Sequence, residues 1–86
     1  MDINDLIAIV KKKLQKNIVI ENISIEDKSF LHKNHSGNQK GKFHLKITIS
    51  SDELNKLGRI ESNKIVYKAI NQEIKKFIHS LQILIK

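Results

Sequence analysis

The chain has no cysteine among its 86 residues, which excludes disulfides, thiol nucleophiles and any thiolate metal site of its own. Any metal it holds must be held through His or carboxylate. Proline and tryptophan are also missing and aromatic residues make up only 5%, so a core has to be built from aliphatic side chains, chiefly Ile. Arg59 is the single Arg in a Lys-rich chain. An excess of Ile, Lys and Asn with scarce Arg is what an A+T-rich genome produces, so this bias carries no functional message. Met1 to Leu14 mixes acidic, apolar and basic residues without an uninterrupted apolar run, which fits neither a secretory signal nor a membrane span. Asp2 and Asp5 argue against a transit peptide. The expectation is a cytoplasmic protein with no membrane partner.

With 40% hydrophobic and 29% charged residues, the length suits one domain with a modest core, expected to span residues 1–86. The net charge of +7 favours polyanions, either nucleic acid or an acidic protein surface. Ile3, Leu6, Ile7, Val10 and Leu14 recur at helical spacing, with Asp2 as a cap and Lys11 to Lys13 near the far end where the dipole favours cations. Ile18, Ile20, Ile23 and Ile25 alternate with a change of phase at Glu21 and Asn22, which predicts one kinked strand over 18–25. From Lys28 to Lys42 the apolar signal stops, and Asn34, Ser36, Gly37, Asn38 and Gly41 mark a long polar loop of the kind that is functional or disordered. Phe43, Leu45, Ile47 and Ile49 then alternate with His44, Lys46 and Thr48, a half-buried strand with its polar residues facing away from the core.

Ser50 and Glu53 have capping-box spacing, and a short helical turn through Leu54 and Leu57 is predicted to end at Gly58 as its C-cap. A longer helix over 62–77 follows, with Ile65, Val66, Ala69, Ile70, Ile74 and Phe77 inside. Ile78 to Ile85 reads as a last strand with Leu81, Ile83 and Ile85 on one face. The order α-β-β-α-α-β makes this an α+β protein with helices packed on a three-stranded sheet.

His32, His35, His44 and His79 are the residues able to ligate borderline metals. The ordinary state of a lone His is solvated or hydrogen-bonded, and neither a zinc-protease helix pair nor a finger spacing occurs. No Ser elbow and no phosphate-binding loop occurs either, so the chain is not expected to be an enzyme. Lys56, Gly58 and Arg59 lie between the central helices, where KH-type domains clamp nucleic-acid backbone with a loop of two glycines. Only one glycine is present here. Lys64, Lys68, Lys75 and Lys76 add a possible basic face, although charge on an outer helix is usually just solvated.

The residues also resemble a family. Asp27, Ser29 and His32, followed by His35 and Gly37, look like the loop after the first strand of BolA proteins. Phe43, His44 and Leu45 resemble the family's Ser-His-Phe motif. Ser51 and Asp52 fall on its Ser-Asp, Val66 and Tyr67 on its Val-Tyr, and Ile78 to Leu81 on its Ile-His-Ala-Leu. Departures are the family's Arg-His-Arg, here Ser62, Asn63 and Lys64, and a Gly replaced by Lys56. Lys cannot reproduce the fixed fork of Arg, so any anion contact of that motif is weakened. Relatives that run past the last strand suggest a shortened C-terminal tail here.

The resemblance implies a class II KH-like fold and a role in iron–sulfur cluster trafficking or iron regulation, with a monothiol glutaredoxin as partner. In such complexes a 2Fe-2S cluster is shared: glutaredoxin and glutathione offer thiolates, and the BolA protein offers the His matching His79 plus a loop residue matching His32. His35 is the substitute ligand, and His44 packs against the site or orients it. Ligation by neutral imidazole should weaken at mildly acidic pH. The isolated protein is expected to be a monomer. The alternative is a KH-like, DNA-binding transcriptional regulator of the stress-response kind, using Lys56, Gly58, Arg59, Lys64 and Lys68. A cofactor-free adaptor is a third reading.

Overall fold

The computed structural model describes residues 2–29 and 43–86. Helix α1 spans Ile3–Asn17. Its first turn is capped by Asp2, whose carboxylate accepts the Asp5 N–H at 2.8 Å, as an N-cap should. Leu6, Val10 and Leu14 are fully buried along one stripe. The helix ends one turn after Lys13, so Lys11 to Lys13 lie near its far end as expected and Lys16 is the cation in its last turn. It stops where β-branched Ile18 turns extended, although the Ile18 N–H still reaches Leu14 O at 2.9 Å.

Strand β1 spans Asn22–Asp27, shifted from the predicted 18–25. The change of phase at Glu21 and Asn22 marks the start of the strand and not a kink within it. Ile18 is instead a buried member of the core in the connection. Strand β2, Phe43–Ser50, pairs antiparallel with β1 and parallel with β3, Ile78–Ile85. The sheet order is β1-β2-β3. A parallel pair needs a crossover, and three helices supply it: α2 (Asp52–Asn55), α3 (Arg59–Ala69) and α4 (Asn71–Lys76).

Four helix boundaries differ from expectation. Ser51, not Ser50, caps α2: its hydroxyl accepts the Leu54 N–H at 3.2 Å and donates to Val19 O at 2.7 Å, so one buried side chain closes the helix start and anchors the α1–β1 connection. Gly58 is the N-cap of α3 and not a C-cap, with an ordinary φ of −65°; α2 ends earlier, and α3 begins at Arg59 instead of Ser62. The long helix predicted over 62–77 is broken at Ile70, which leaves helical geometry at φ −119° and ψ 26°. Ile and Asn are weak helix formers, and the break leaves the Ile70 side chain fully buried.

One face of the sheet meets the helices. Leu45, Ile47 and Ile49 of β2 are buried there with Val66, Ile70 and the α1 stripe, and Ile23, Ile25, Leu81, Ile83 and Ile85 pack around them. The predicted inside face of β3 is therefore observed. The architecture is α+β, as expected.

Candidate functional site

The last strand carries an irregularity at its start. Phe43 pairs with Ile78 but His44 pairs with Ser80, so His79 is an extra residue with no opposite number on β2. An inserted residue of this kind re-aims a side chain out of the ladder. His79 is exposed.

His44 lies directly beside it. By alternation His44 shares a face with Lys46 and Thr48, away from the core, as predicted. It is nevertheless only 3% exposed, which the alternation pattern does not foretell. Its Nδ1 lies 2.7 Å from Ser80 Oγ, and its ring meets the His79 ring edge-on, with centroids 5.0 Å apart and planes at 63°. The backbone of His44 is held as well. Its N–H donates to Ser29 Oγ at 3.1 Å, and its carbonyl accepts the Lys28 N–H at 2.7 Å. Ser29 is itself placed by its N–H donating to the Asp27 carboxylate at 2.9 Å, a local turn typical of Asp. A continuous chain of hydrogen bonds thus leads from the end of β1 through Ser29 and His44 to Ser80, next to His79.

His79 and His44 are brought together. His32 and His35 lie outside the described residues. Among the described residues no group of three or more His, Cys, Asp or Glu converges as a metal site. An exposed imidazole and no thiol can supply part of a coordination sphere but not a whole one, so the residues fit a site completed by others. The roles of Ser29 and Ser80 were not seen in the sequence. Their signal is positional: each stands beside a His partner only once the strand register is known.

The five residues considered for nucleic acid fall in two places. Lys56 caps the end of α2, Gly58 the start of α3, and Arg59 begins α3; these form the α2–α3 corner near Ile83 to Ile85. Lys64 and Lys68 lie one turn apart on α3, and Lys68 lines a groove with Lys13 and Lys16 of α1. Arg59 and Lys68 are nine residues apart, about 180° around a helix, so α3 presents them on opposite sides. Lys64 also lies 3.9 Å from Glu61. No helix of the described residues is long and apolar enough to cross a membrane.

A small three-stranded mixed sheet, backed by helices on one face and with an exposed histidine at the start of its last strand, defines an α+β protein. The chain belongs to the BolA-like protein family, whose model matches residues 14–86. It is 27% identical over 73 residues to the DNA-binding transcriptional regulator BolA of Haemophilus influenzae, covering 85% of this chain and 68% of that protein. It is 26% identical over 82 residues to SufE-like protein 1, chloroplastic/mitochondrial, of Arabidopsis thaliana, covering 90% of this chain but 22% of that protein. The chain therefore spans about two thirds of the first relative and about a fifth of the second. Among solved structures, the BolA domain of SufE1 from Arabidopsis thaliana superposes with a TM-score of 0.76 at 25% identity, over 92% of this chain and 87% of that one. BolA1 from the same plant gives 0.78 at 23%, over 94% and 89%.

Proposed function

We propose that the chain acts by binding: through His79 it shares a 2Fe-2S cluster with a monothiol glutaredoxin and its glutathione, in iron–sulfur trafficking or iron regulation. The observation that carries this reading is the presentation of His79, exposed on an extra residue of β3 and met edge-on by a buried His44 that is itself tied to Ser80. When bound, such a cluster supplies one-electron redox chemistry, and imidazole in place of thiolate raises its reduction potential. His79 is the ligand. His44 limits the rotation of its ring, as outer partners of metal-bound His do. The family resemblance assigns the second imidazole to His32, with His35 as the substitute. The test is a titration with cluster-loaded monothiol glutaredoxin followed by visible circular dichroism. A new cluster spectrum is expected with the wild type and not with His79→Ala, and the His32→Ala and His35→Ala spectra assign the second ligand. An unchanged spectrum for His79→Ala sinks the proposal.

A second reading, binding of DNA, is favoured by the DNA-binding role of the Haemophilus relative and by the charge of +7. Lys16 and Lys68, which line one groove and have no carboxylate partner among the described residues, are the cations best placed for a phosphate backbone. Binding that survives physiological salt and differs between sequences supports this reading; loss of both leaves only non-specific attraction.

A further inference from the structure

The sheet order leaves the far side of β3 without a strand partner among the described residues. Which groups face that side follows from the pairing. The Lys86 N–H donates to Ile49 O at 2.8 Å, and successive residues of a strand point their backbone groups to opposite sides. Ser80, Gln82 and Leu84 therefore face β2, while Leu81, Ile83 and Ile85 turn N–H and C=O outward. Exposed edges are normally guarded by Lys, Pro or a very short strand. This one is eight residues long and, from Ile78 to Ile85, contains neither an acidic nor a Lys or Arg residue and no Pro.

A cavity of about 230 Å³ adjoins the outer end of that edge, where Ile83, Leu84 and Ile85 meet Leu57, Arg59 and Asn63 of the α2–α3 corner. Leu57 and Leu84 are 40% and 42% exposed beside it. A strand laid along Ile83 and Ile85 sends every second side chain toward the helix layer, and so into the cavity. Among the described residues Arg59 has no carboxylate partner, so an acidic group of the incoming segment can meet it. A second copy of this chain is a poor occupant. The inward side chains of its own β3, Leu81, Ile83 and Ile85, already pack on its core, and two chains of +7 repel.

We propose that the outer edge of β3 accepts an extended segment of a partner protein as a fourth strand, with an aliphatic side chain in this cavity and an acidic residue against Arg59. Ile85 is six residues beyond His79, about 20 Å along a strand, so this surface is separate from the imidazole and does not depend on cluster ligation.

The probe is a phage-displayed library of random short peptides selected on the full chain, with the enriched peptides resynthesised. Enriched peptides are expected to pair an aliphatic with an acidic residue and to shift the backbone amides of Leu81, Ile83 and Ile85 in nitrogen-15 spectra. Methylating the peptide's edge-facing amides should weaken binding at least tenfold, and Arg59→Glu at least fivefold with far-ultraviolet dichroism unchanged. His79→Ala should leave binding intact, which separates this surface from the cluster reading. No enrichment above background, indifference to amide methylation, or shifts confined to the lysine groove would each overturn the proposal.

Discussion

An exposed imidazole loses rotational freedom where its ring meets a fixed neighbour, and His79 meets the ring of buried His44 edge-on. His44 is buried and linked to Ser80 Oγ at 2.7 Å, so removing the hydroxyl takes a partner from a buried polar group. Ser80→Ala is expected to cost about 1 kcal/mol in urea unfolding. If His79 is the proposed ligand, Ser80→Ala should weaken the glutaredoxin-dependent cluster spectrum less than tenfold, whereas His79→Ala is expected to abolish it. A Ser80→Ala protein as stable as the wild type would show that the contact contributes nothing. His79 was legible as a candidate only through the resemblance of Ile78 to Leu81 to the family's Ile-His-Ala-Leu, since a lone His at a helix-to-strand junction is ordinarily just solvated. Its release from the ladder was not legible, since period-two alternation describes one strand and says nothing of the register of its partner.

At the level of elements, two polar contacts join parts distant in sequence. Ser51 caps α2 and also holds Val19 O. Ser51→Ala should lower stability by about 1 kcal/mol, the loss of a helix cap whose hydroxyl also bonds Val19 O; thermal or urea unfolding measures it. The second contact is Lys13 to Glu73, at 2.7 Å, which ties α1 to α4. Glu73 is 7% exposed and its Oε1 has no hydrogen-bond partner among the described residues. Lys13→Met leaves that carboxylate buried and alone, and should cost about 2 kcal/mol. Adding Glu73→Gln should recover part of the loss, and additive single effects in a double-mutant cycle would show that the pair is not coupled. Helix and strand identities were readable because Leu6, Val10 and Leu14 follow one period and Leu45, Ile47 and Ile49 another. The break at Ile70 was not, because the apolar stripe continues through it and the weak helix propensity of Ile70 and Asn71 gives no stop signal as clear as Gly or Pro.

For the whole molecule the relevant quantity is charge and where it lies. The charge of +7 predicts attraction to any nucleic acid, with log affinity falling linearly against log salt. If the α1–α3 groove is the contact, Lys16→Gln with Lys68→Gln should flatten that slope by about 2, whereas Arg59→Gln, on the opposite side of α3 from Lys68, should leave it unchanged. A titration at several salt concentrations decides between them. The α+β order was legible from periodicity alone. That the basic residues divide between two sides of α3 was not, because a linear pattern gives no neighbour for either side.

The extra residue in β3 also has a consequence for how the protein can be edited. Because Phe43 pairs with Ile78 and His44 with Ser80, deleting residue 79 leaves every existing pair in place and makes the ladder regular. Shortening a strand by one residue ordinarily turns its following side chains to the wrong face. Here the frame of the sheet already skips that position, so the imidazole is carried by a residue the fold can spare.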